Sequence, residues 1–408
     1  MIINRLTLFL ILEVAILIGC SGGPSVSKSP ALKPGIWRMN MDIGDLFIPL
    51  RLEVDSFMNI SLLNGEEKIT INDGVQSEDS LILNMPRYES RFVGSIVSDT
   101  IITGSWYNLA KEDYSVPFEA NYLSPVDMRG EWSANAEMKY SVTFSPKNNN
   151  AYPAIGLFQV NSEELRGTFL TETGDYRFLE GALVENQLTL SNFDGAHMFL
   201  FRGEMKGDSI VNGIFNSGKH YDEPWNAALN PDATLTHPDS LTYLLPGNET
   251  VAVSVMDLNG EITTIDQEDY ESRVSIIQIF GTWCPNCYDE SLFYKELYDD
   301  YSTQGFQVIP IAFEASHDFA KNSAAVKTQF EEIGISYAYY LGPKRNKKVT
   351  SEMFPMLNNI ISYPTSIFVD KQGKVRKIHT GFYGPGTGEY YDEYVIETRE
   401  FIESLLQE

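Results

Sequence analysis

The sequence predicts two domains of different class, an all-β domain followed by an α/β domain. The chain has 408 residues, 43% of them hydrophobic and 12% aromatic, and single hydrophobic cores stop growing near about 250 residues. Short apolar segments between turn residues fill the first half, whereas apolar strands alternate with helical patterns in the last third. We therefore expect two cores, with the boundary between residues 220 and 246.

The N-terminal half, residues 35–220, is predicted to be an antiparallel β domain. Segments such as "FIPLRLEV", "KYSVTFS" and "HMFLFRGEM" are separated by turn pairs such as Asn64-Gly65. Alternation of apolar and polar residues is typical of half-buried strands, and no long segment of this half has helical periodicity.

This β domain is also predicted to be duplicated. The triplet "GIW" at Gly35 returns as "GEW" at Gly130, and "RFVGSIVSDTIITGSW", ending at Trp106, resembles "LFRGEMKGDSIVNGIF", ending at Phe215. Two such units, each closed as a barrel or packed together as a sandwich, would cover their sheet edges.

The C-terminal third, residues 246–408, has the predicted element order βαβαββα. Residues 221–245 carry prolines and few periodic apolar positions, so we assign them to a linker. Beyond them "VSIIQIF" is a continuous apolar strand, and a helix follows from Pro285 to about Tyr301. The strand "FQVIPIAF", a second amphipathic helix, two strands around a turn and a closing helix complete the domain.

The N-terminus has the pattern of an export signal followed by a tether. An apolar run shorter than the ~18 residues of a membrane span ends at small residues before Cys20. The tetrad "LIGC" resembles a bacterial lipobox, which implies a lipoprotein signal peptide over residues 1–20, a lipid anchor on Cys20 and a flexible tether over residues 21–34. An ordinary signal peptide or an uncleaved anchor helix is the alternative, because Glu13 interrupts the apolar run.

The charge and the cysteine count exclude some functions. Acidic residues outnumber basic residues 56 to 30, for a formal net charge of -26, and a phosphate backbone would be repelled by such a chain. Nucleic acid is therefore excluded as a partner. Of the three cysteines, acylation of Cys20 would leave one pair, Cys284 and Cys287, in a compartment outside the cytoplasm.

The sequence "IFGTWCPNC" places this cysteine pair where a strand turns into a helix. A helix beginning at or just after Cys284 offers its thiol unpaired backbone N–H groups, which favour the nucleophilic thiolate. Cys287 follows one turn later on the same face, and Pro285 suits the first helical turn. A structural zinc site would need about four ligands, but the five histidines are scattered. A purely structural disulfide would close a loop too short to stabilise the fold much.

The motif "WCPNC", with "SYPTSIFVD" and "DKQGKVRKIHTGF" downstream, resembles the thioredoxin fold and in particular the TlpA/ResA-like thiol:disulfide oxidoreductases. The resemblance covers about Leu245 to Glu408. It implies that Cys284 attacks, that Cys287 resolves the mixed disulfide, and that neither a cofactor nor a metal takes part. It further implies a cis peptide bond before Pro364, across the site from the motif, with a trans proline on a strand edge as the alternative.

The same resemblance implies a docking surface for substrate around the cysteines. Tyr363 and the turn at Pro364 would expose backbone to an extended substrate segment, and Thr365 follows them. Pro285 and Trp283 would flank the sulfur, although a tryptophan that only fills the core is the alternative for Trp283.

An acidic residue is the candidate proton acceptor for Cys287. Thioredoxins carry a buried aspartate six positions before the first cysteine, where this chain has Gln278, which cannot take a proton. The ResA-like branch instead has an acid three positions after the second cysteine, and Glu290 occupies that position. This spacing puts Glu290 on the Cys287 face of the helix, with a solvated helix acid as the alternative. Glu314 is a weaker candidate, for which we favour a loop acid.

These features predict a lipid-anchored reductase on the periplasmic side of a bacterial membrane. Its partners would be protein disulfides, including by resemblance apocytochrome c or redox proteins of its assembly, and a membrane dithiol donor that recharges the cysteines. The alternative is a binding lipoprotein whose β domain is the functional part. In that domain Asp175, Arg177, Asp194 and His197 cluster near turns, where satisfied turn residues are the favoured interpretation.

Overall fold

The computed structural model describes residues 31–77, 79–123, 136–160 and 165–408. The predicted signal peptide, Cys20 and the "GEW" triplet at Gly130 lie outside these ranges. Within the described ranges, no helix has both the length and the apolar character needed to cross a membrane.

The described residues form 25 β-strands and five α-helices. The strands are β1 (Gly35–Asp42), β2 (Phe47–Val54), β3 (Ile60–Asn64), β4 (Glu67–Ile71), β5 (Asp73–Ser77), β6 (Ser80–Asn84), β7 (Ser90–Ser98), β8 (Ile101–Asn108), β9 (Ser115–Tyr122), β10 (Ala136–Phe144), β11 (Tyr152–Val160), β12 (Leu165–Thr171), β13 (Gly174–Asp175), β14 (Leu179–Val184), β15 (Gln187–Phe193), β16 (Met198–Lys206), β17 (Ser209–Ser217), β18 (Tyr221–Leu229), β19 (Val253–Met256), β20 (Ile262–Ile265), β21 (Val274–Phe280), β22 (Phe306–Ala312), β23 (Tyr340–Leu341), β24 (Thr365–Val369) and β25 (Val375–Thr380). The helices are α1 (Gln267–Tyr270), α2 (Pro285–Tyr301), α3 (Phe319–Ile333), α4 (Lys347–Met353) and α5 (Glu389–Gln407).

The N-terminal domain consists of two antiparallel sheets with the same order of pairing. The first runs β4-β3-β2-β1-β9-β8-β7-β6-β5 and the second β11-β10-β18-β17-β16-β15-β14-β12-β13. In each sheet the first strand of the unit pairs with the second and the last strand, β1 with β2 and β9, and β10 with β11 and β18. The two similar sequence segments form the hairpins β7–β8 and β16–β17, which occupy equivalent positions.

Only the second sheet closes on itself in the described residues. Strand β12 pairs with both β11 and β14, which completes a barrel, whereas no pairing joins β4 to β5 within the described part of the first sheet. Aromatic side chains fill the barrel. The ring of Phe201 lies 4.4 Å from that of Phe169 and 4.4 Å from that of Phe215, measured between centroids. The barrel interior is therefore a packed core.

The β domain extends further along the chain than the sequence predicted. Strand β18 lies in the segment assigned to the linker, residues 221–245, and pairs with both β10 and β17. Its alternate residues Glu223, Trp225 and Ala227 are buried. Pro224 and the small residues around it hid this alternation, so the predicted domain end at residue 220 is too early and the strand ends at Leu229.

The C-terminal domain is a seven-stranded sheet, ordered β20-β19-β23-β22-β21-β24-β25, with helices on both faces. Central strand β21 pairs in parallel with β22 and antiparallel with β24. Its residues Val274 and Ile276 share a core with α2 and α5, while Ile277 and Ile279 share another with α3. Burial on both faces explains the continuous apolar run of this strand.

The predicted order βαβαββα is confirmed by β21, α2, β22, α3, β24, β25 and α5. The hairpin β19–β20 precedes that order, as the turn pair Asn259-Gly260 predicts, and strand β23 and the short helices α1 and α4 are additions to it. The fold places the start of α2 at the end of the central strand, next to the loop that precedes β24.

Candidate active site at Cys284 and Cys287

The two cysteines lie at the start of α2, as the sequence predicts. Strand β21 ends at Phe280, and Cys284 caps the helix, its Sγ accepting a hydrogen bond from the backbone N–H of Cys287 at 3.3 Å. The Sγ of Cys284 donates to the carbonyl of Tyr363 at 3.4 Å. Both residues are free thiols, Cys284 6% exposed and Cys287 fully buried. The attacking sulfur of Cys284 thus reaches solvent through a narrow opening, whereas the resolving sulfur of Cys287 has no such opening.

Burial sets the protonation state of the resolving cysteine. Loss of hydration, together with the neighbouring Cys284 sulfur, raises the pKa of Cys287 well above its ordinary value. Cys287 is therefore a neutral thiol near neutral pH. Since the thiolate is the attacking form, its attack needs a proton acceptor within the core.

Glu290 is the acid that lies beneath the cysteines. Its side chain is fully buried, so the alternative of a solvated helix acid is wrong. Three groups donate hydrogen bonds to the carboxylate: Nε2 of Gln278 at 2.9 Å, Oγ of Ser366 at 3.0 Å and the hydroxyl of Tyr294 at 3.1 Å. Burial raises the pKa of Glu290 to about 7, although these hydrogen bonds favour the ionised form. The group can therefore take or give a proton near neutral pH.

Gln278 explains how this site differs from that of thioredoxins proper. The residue at this strand position cannot titrate, and here its amide donates to Glu290 and to Ser291. The acid thus comes from α2, while the central strand supplies only a hydrogen bond to it.

The loop before β24 lies against the attacking sulfur. The peptide bond between Tyr363 and Pro364 is cis, which confirms the prediction. The carbonyl of Tyr363 faces Cys284, and the side-chain hydroxyl of Tyr363 lies 2.6 Å from Oγ1 of Thr350. Thr365, predicted to dock substrate, is fully buried and donates to the carbonyl of Ser362 at 2.9 Å. It therefore supports the loop and does not face a substrate.

Trp283 flanks the motif on the other side. Its Nε1 donates to the carbonyl of Phe313 at 2.9 Å, and its ring meets that of Tyr363 edge-on with the centroids 5.5 Å apart. The guanidinium of Arg345 stacks on the ring at 4.2 Å. Trp283 is only half-buried, so one part of it remains available beside Cys284.

Glu314 holds the turn that carries the cysteines. Its carboxylate accepts hydrogen bonds from the backbone N–H and the hydroxyl of Thr282, both at 2.8 Å. The residue lies in the loop after β22, as we favoured, but it is buried, with 5% of its surface exposed. Burial raises its pKa, but both oxygens are used to position the turn.

The second β unit forms a wall of the site, which the sequence did not indicate. The turn around β13 contacts both the helix start and the loop before β24. Nδ2 of Asn286 donates to the carbonyl of Asp175 at 3.3 Å, and Oγ of Ser362 donates to the carbonyl of Thr173 at 2.8 Å. This turn therefore covers one side of the Cys284 opening.

Glycines permit this close approach. A Cβ at Gly174, where φ is +136°, would lie 2.5 Å from Nδ2 of Asn286, and a Cβ at Gly381 would lie 2.8 Å from the backbone of Thr173. Glycine is the residue that allows two backbones to come this near.

Arg177 joins the β domain to α2 through buried charges. One of its Nη atoms pairs with Asp289 and also donates to the carbonyl of Pro285 at 3.2 Å. The other pairs with Oε1 of Glu67 at 2.6 Å, which Arg87 also approaches at 3.3 Å. Arg177 is 4% exposed. The first turn of the active-site helix is thus held by residues from both β units.

The structure divides the cluster of polar turn residues in the β domain. Asp175 and Arg177 contact the active site, whereas Asp194 and His197 pair with each other at 2.9 Å. Although burial opposes ionisation of Asp194, His197 lowers its pKa to about 2. Tyr88 meets His197 edge-on at 5.6 Å and lies within electrostatic range of Cys284. Among the described residues, no group of three or more His, Cys, Asp or Glu is arranged to hold a metal ion.

Comparisons with known proteins find similarity in the C-terminal part of the chain. Residues 245–392 match the Redoxin family model. The chain is 24% identical over 135 residues to thiol-disulfide oxidoreductase ResA of Halalkalibacterium halodurans, which covers 33% of this chain and 68% of that protein. It is 26% identical over 149 residues to ResA of Bacillus thuringiensis, covering 36% and 76%. A solved structure described as a putative thiol:disulfide interchange protein DsbE from Chlorobium tepidum aligns with a TM-score of 0.29 at 18% identity, over 38% of this chain and 98% of that one.

A thioredoxin-type sheet that presents a dithiol at a helix start, next to a cis proline, defines a thiol:disulfide oxidoreductase. The sequence relatives indicate which group of thiol:disulfide oxidoreductases the chain is similar to. In its C-terminal domain this chain resembles the TlpA/ResA-like proteins.

Replacing Glu290 should slow the resolving step and change its pH dependence. With an acceptor of pKa about 7, the attack of Cys287 should speed up as the pH rises through 7, because the ionised carboxylate takes the proton. In Glu290→Gln this inflection should be absent and the rate above pH 7 should fall by about 10²–10⁴-fold, the usual contribution of a positioned base. Stopped-flow tryptophan fluorescence during reaction of the reduced protein with a disulfide measures the step.

Glu296→Gln is the matched control for this prediction, because Glu296 is exposed on the same helix. It should keep the wild-type pH profile. A wild-type profile in Glu290→Gln would contradict the role of Glu290.

Replacing Arg177 should weaken the contact between the β domain and α2. In Arg177→Met, Asp289 and Glu67 lose their shared partner, and breaking a buried ion pair costs about 3–5 kcal/mol. Thermal unfolding should report this loss, and iodoacetamide should alkylate Cys284 faster as the opening widens. Arg399→Met, which removes half-exposed pairs with Glu296 and Asp300, should change neither. Equal alkylation rates in all three proteins would show that the β domain does not restrict access.

Proposed function

We propose that the protein is a lipid-anchored reductase of disulfides in exported proteins. The proposal rests on one observation, that three groups follow one another along one face of α2. They are the almost buried thiol of Cys284, the buried neutral thiol of Cys287 and the buried acid of Glu290. Each group occupies the place that its step in disulfide exchange requires.

The reaction proceeds in two exchanges. The thiolate of Cys284 attacks one sulfur of the substrate disulfide, which forms a mixed disulfide and releases the other substrate sulfur as a thiolate. Cys287 then loses its proton to Glu290 and attacks the Cys284 sulfur, which releases the second substrate thiolate. Two electrons pass to the substrate, and the protein is left with a Cys284–Cys287 disulfide.

The environment of the sulfurs supports reduction over oxidation. Strongly oxidising dithiols owe their high potential to stabilisation of the reduced form. Here burial, the Cys284 sulfur and the nearby Glu290 carboxylate raise the pKa of Cys287. The resolving thiol therefore gains little from ionisation, and the reduced form lacks that source of stabilisation.

The sequence around Cys20 supports a place outside the cytoplasm. The tetrad "LIGC" and the following polar residues fit a lipid anchor with a tether, and disulfide substrates are found in exported proteins. A membrane dithiol donor would return the oxidised pair to the reduced state. Apocytochrome c and redox proteins of its assembly are the substrates that the likeness to ResA suggests.

The β domain supports the enzyme in this proposal. Its barrel is filled by aromatic side chains, and the turn at Gly174 lies against the cysteine motif. Both observations favour a domain that shapes access to Cys284 over a separate ligand-binding module.

Serine variants of the two cysteines test the proposal directly. Cys284→Ser should abolish the reduction of insulin by the full chain with dithiothreitol as donor, because the remaining thiol, Cys287, is fully buried and cannot reach a substrate. Cys287→Ser should instead accumulate a mixed disulfide with substrate, since the resolving thiol is missing; mass spectrometry under non-reducing conditions detects it. The double variant, which should trap nothing, is the control. Full turnover in Cys284→Ser would overturn the proposal.

A further inference from the structure

A basic segment borders the open side of the active site. Lys344, Arg345, Lys347 and Lys348 lie within five positions, and all four are exposed. The chain as a whole has a net charge of -26. Within the segment from Pro343 to Glu352 the four positive charges face one negative charge, that of Glu352, 4.0 Å from Lys348. The segment is thus a local positive surface on an acidic protein.

Two contacts join this segment to residues that flank the cysteine motif. The guanidinium of Arg345 stacks on Trp283 at 4.2 Å, and the backbone N–H of Arg345 donates to the carbonyl of Glu314 at 2.7 Å. The charge of Lys347 lies within electrostatic range of Cys284. Among the described residues, neither Lys344 nor Lys347 forms an ion pair, so their charges are available to a ligand.

A groove lies along the basic segment. Its volume is about 630 Å³, and its walls include Lys347, Lys348 and the acidic Glu352 of α4 and the apolar Ile361. Ile361 lies two residues before Tyr363, whose carbonyl accepts the hydrogen bond of Cys284. The groove and the attacking sulfur therefore share one stretch of backbone.

The opposite side of the opening is closed. The turn at Thr173–Asp175 lies over Asn286 and over Ser362, so a polypeptide cannot run in that direction without displacing the β domain. A substrate approaching Cys284 has the groove and its basic rim as its path.

We propose that this groove docks an extended, acidic stretch of the substrate polypeptide next to its reactive disulfide. The inference rests on the proposed function and names the class of substrate. The chain as a whole is acidic and would repel acidic residues, whereas the basic segment beside the active site attracts them, so the charge pattern would orient such a substrate as well as bind it. The attraction acts within a Debye length of about 10 Å at 0.1 M salt, which suits residues that directly flank the disulfide.

Two peptides of equal length test the proposal. Each carries one intramolecular disulfide, flanked by Asp and Glu in the first and by Lys in the second, and each reacts in a single turnover with the reduced full chain in detergent. At low ionic strength the acidic peptide should react at least about 10-fold faster, the lower end of electrostatic steering. In about 1 M salt, where the Debye length is near 3 Å, the two rates should converge.

Charge reversal in the segment should remove this preference. Lys344→Glu combined with Lys348→Glu leaves the cysteines and Glu290 untouched and should make the two peptides react equally, or reverse their order. Lys321→Glu combined with Lys327→Glu, at exposed positions of α3, makes the same change in net charge and should keep the wild-type preference.

The outcomes separate the proposal from the function on which it rests. Equal reduction of both peptides by the wild-type chain at low salt, or an equal loss of preference in both charge-reversed variants, overturns the docking proposal and leaves the reductase intact. Reduction of neither peptide overturns the proposed function itself. The salt dependence of the wild-type chain decides the question even where a variant fails to fold.

Discussion

The structure depends on one buried carboxylate, that of Glu290. An ionised acid in a protein interior is costly unless hydrogen bonds replace its water, and here Gln278 of β21, Ser366 of β24 and Tyr294 of α2 supply them. The two central strands and the active-site helix are therefore held in register by the group that exchanges the proton. Since burial brings its pKa to about 7, the same feature that orders the core provides an acid–base group for the resolving thiol.

The β domain adds a second constraint, which acts on access. Arg177 links Glu67 of the first unit and Asp289 of α2, and its partners are buried with it. Buried ion pairs contribute little net stability compared with apolar packing, yet they are costly to break. A network of this kind fixes how one domain sits on the other. It keeps the turn at Gly174 against Asn286 and leaves the basic side of Cys284 open.

Local patterns in the sequence predicted the catalytic centre well. The apolar run of β21, the proline after Cys284 and the spacing of Cys287 and Glu290 each depend on neighbours within a few positions. Such signals place a strand end, a helix start and a shared helix face. Similarity to a family then supplied what spacing alone does not, namely the cis bond at Pro364 and the order of attack.

The parts that the sequence did not reveal depend on contacts between distant positions. Arg177 and Asp289 meet across two domains, and nothing near either residue distinguishes this pair from solvated charges. The burial of Glu290 is similar, because a helix acid has the same spacing whether or not a strand covers it. Strand β18 was missed for a local reason, because Pro224 interrupts its alternation of buried and exposed residues. The strand is recognised in the structure from its pairing with β10 and β17.

The reduction potential of the Cys284–Cys287 pair tests the central claim most directly. The full chain would be equilibrated with glutathione or dithiothreitol buffers of known ratio, and the free thiols counted by alkylation and mass spectrometry. A pair whose resolving thiol is buried beside an acid, with its thiolate disfavoured, should have a potential near or below about -250 mV, the range of thioredoxin. A value near about -120 mV, the range of a strong oxidant, would contradict the account of a reductase.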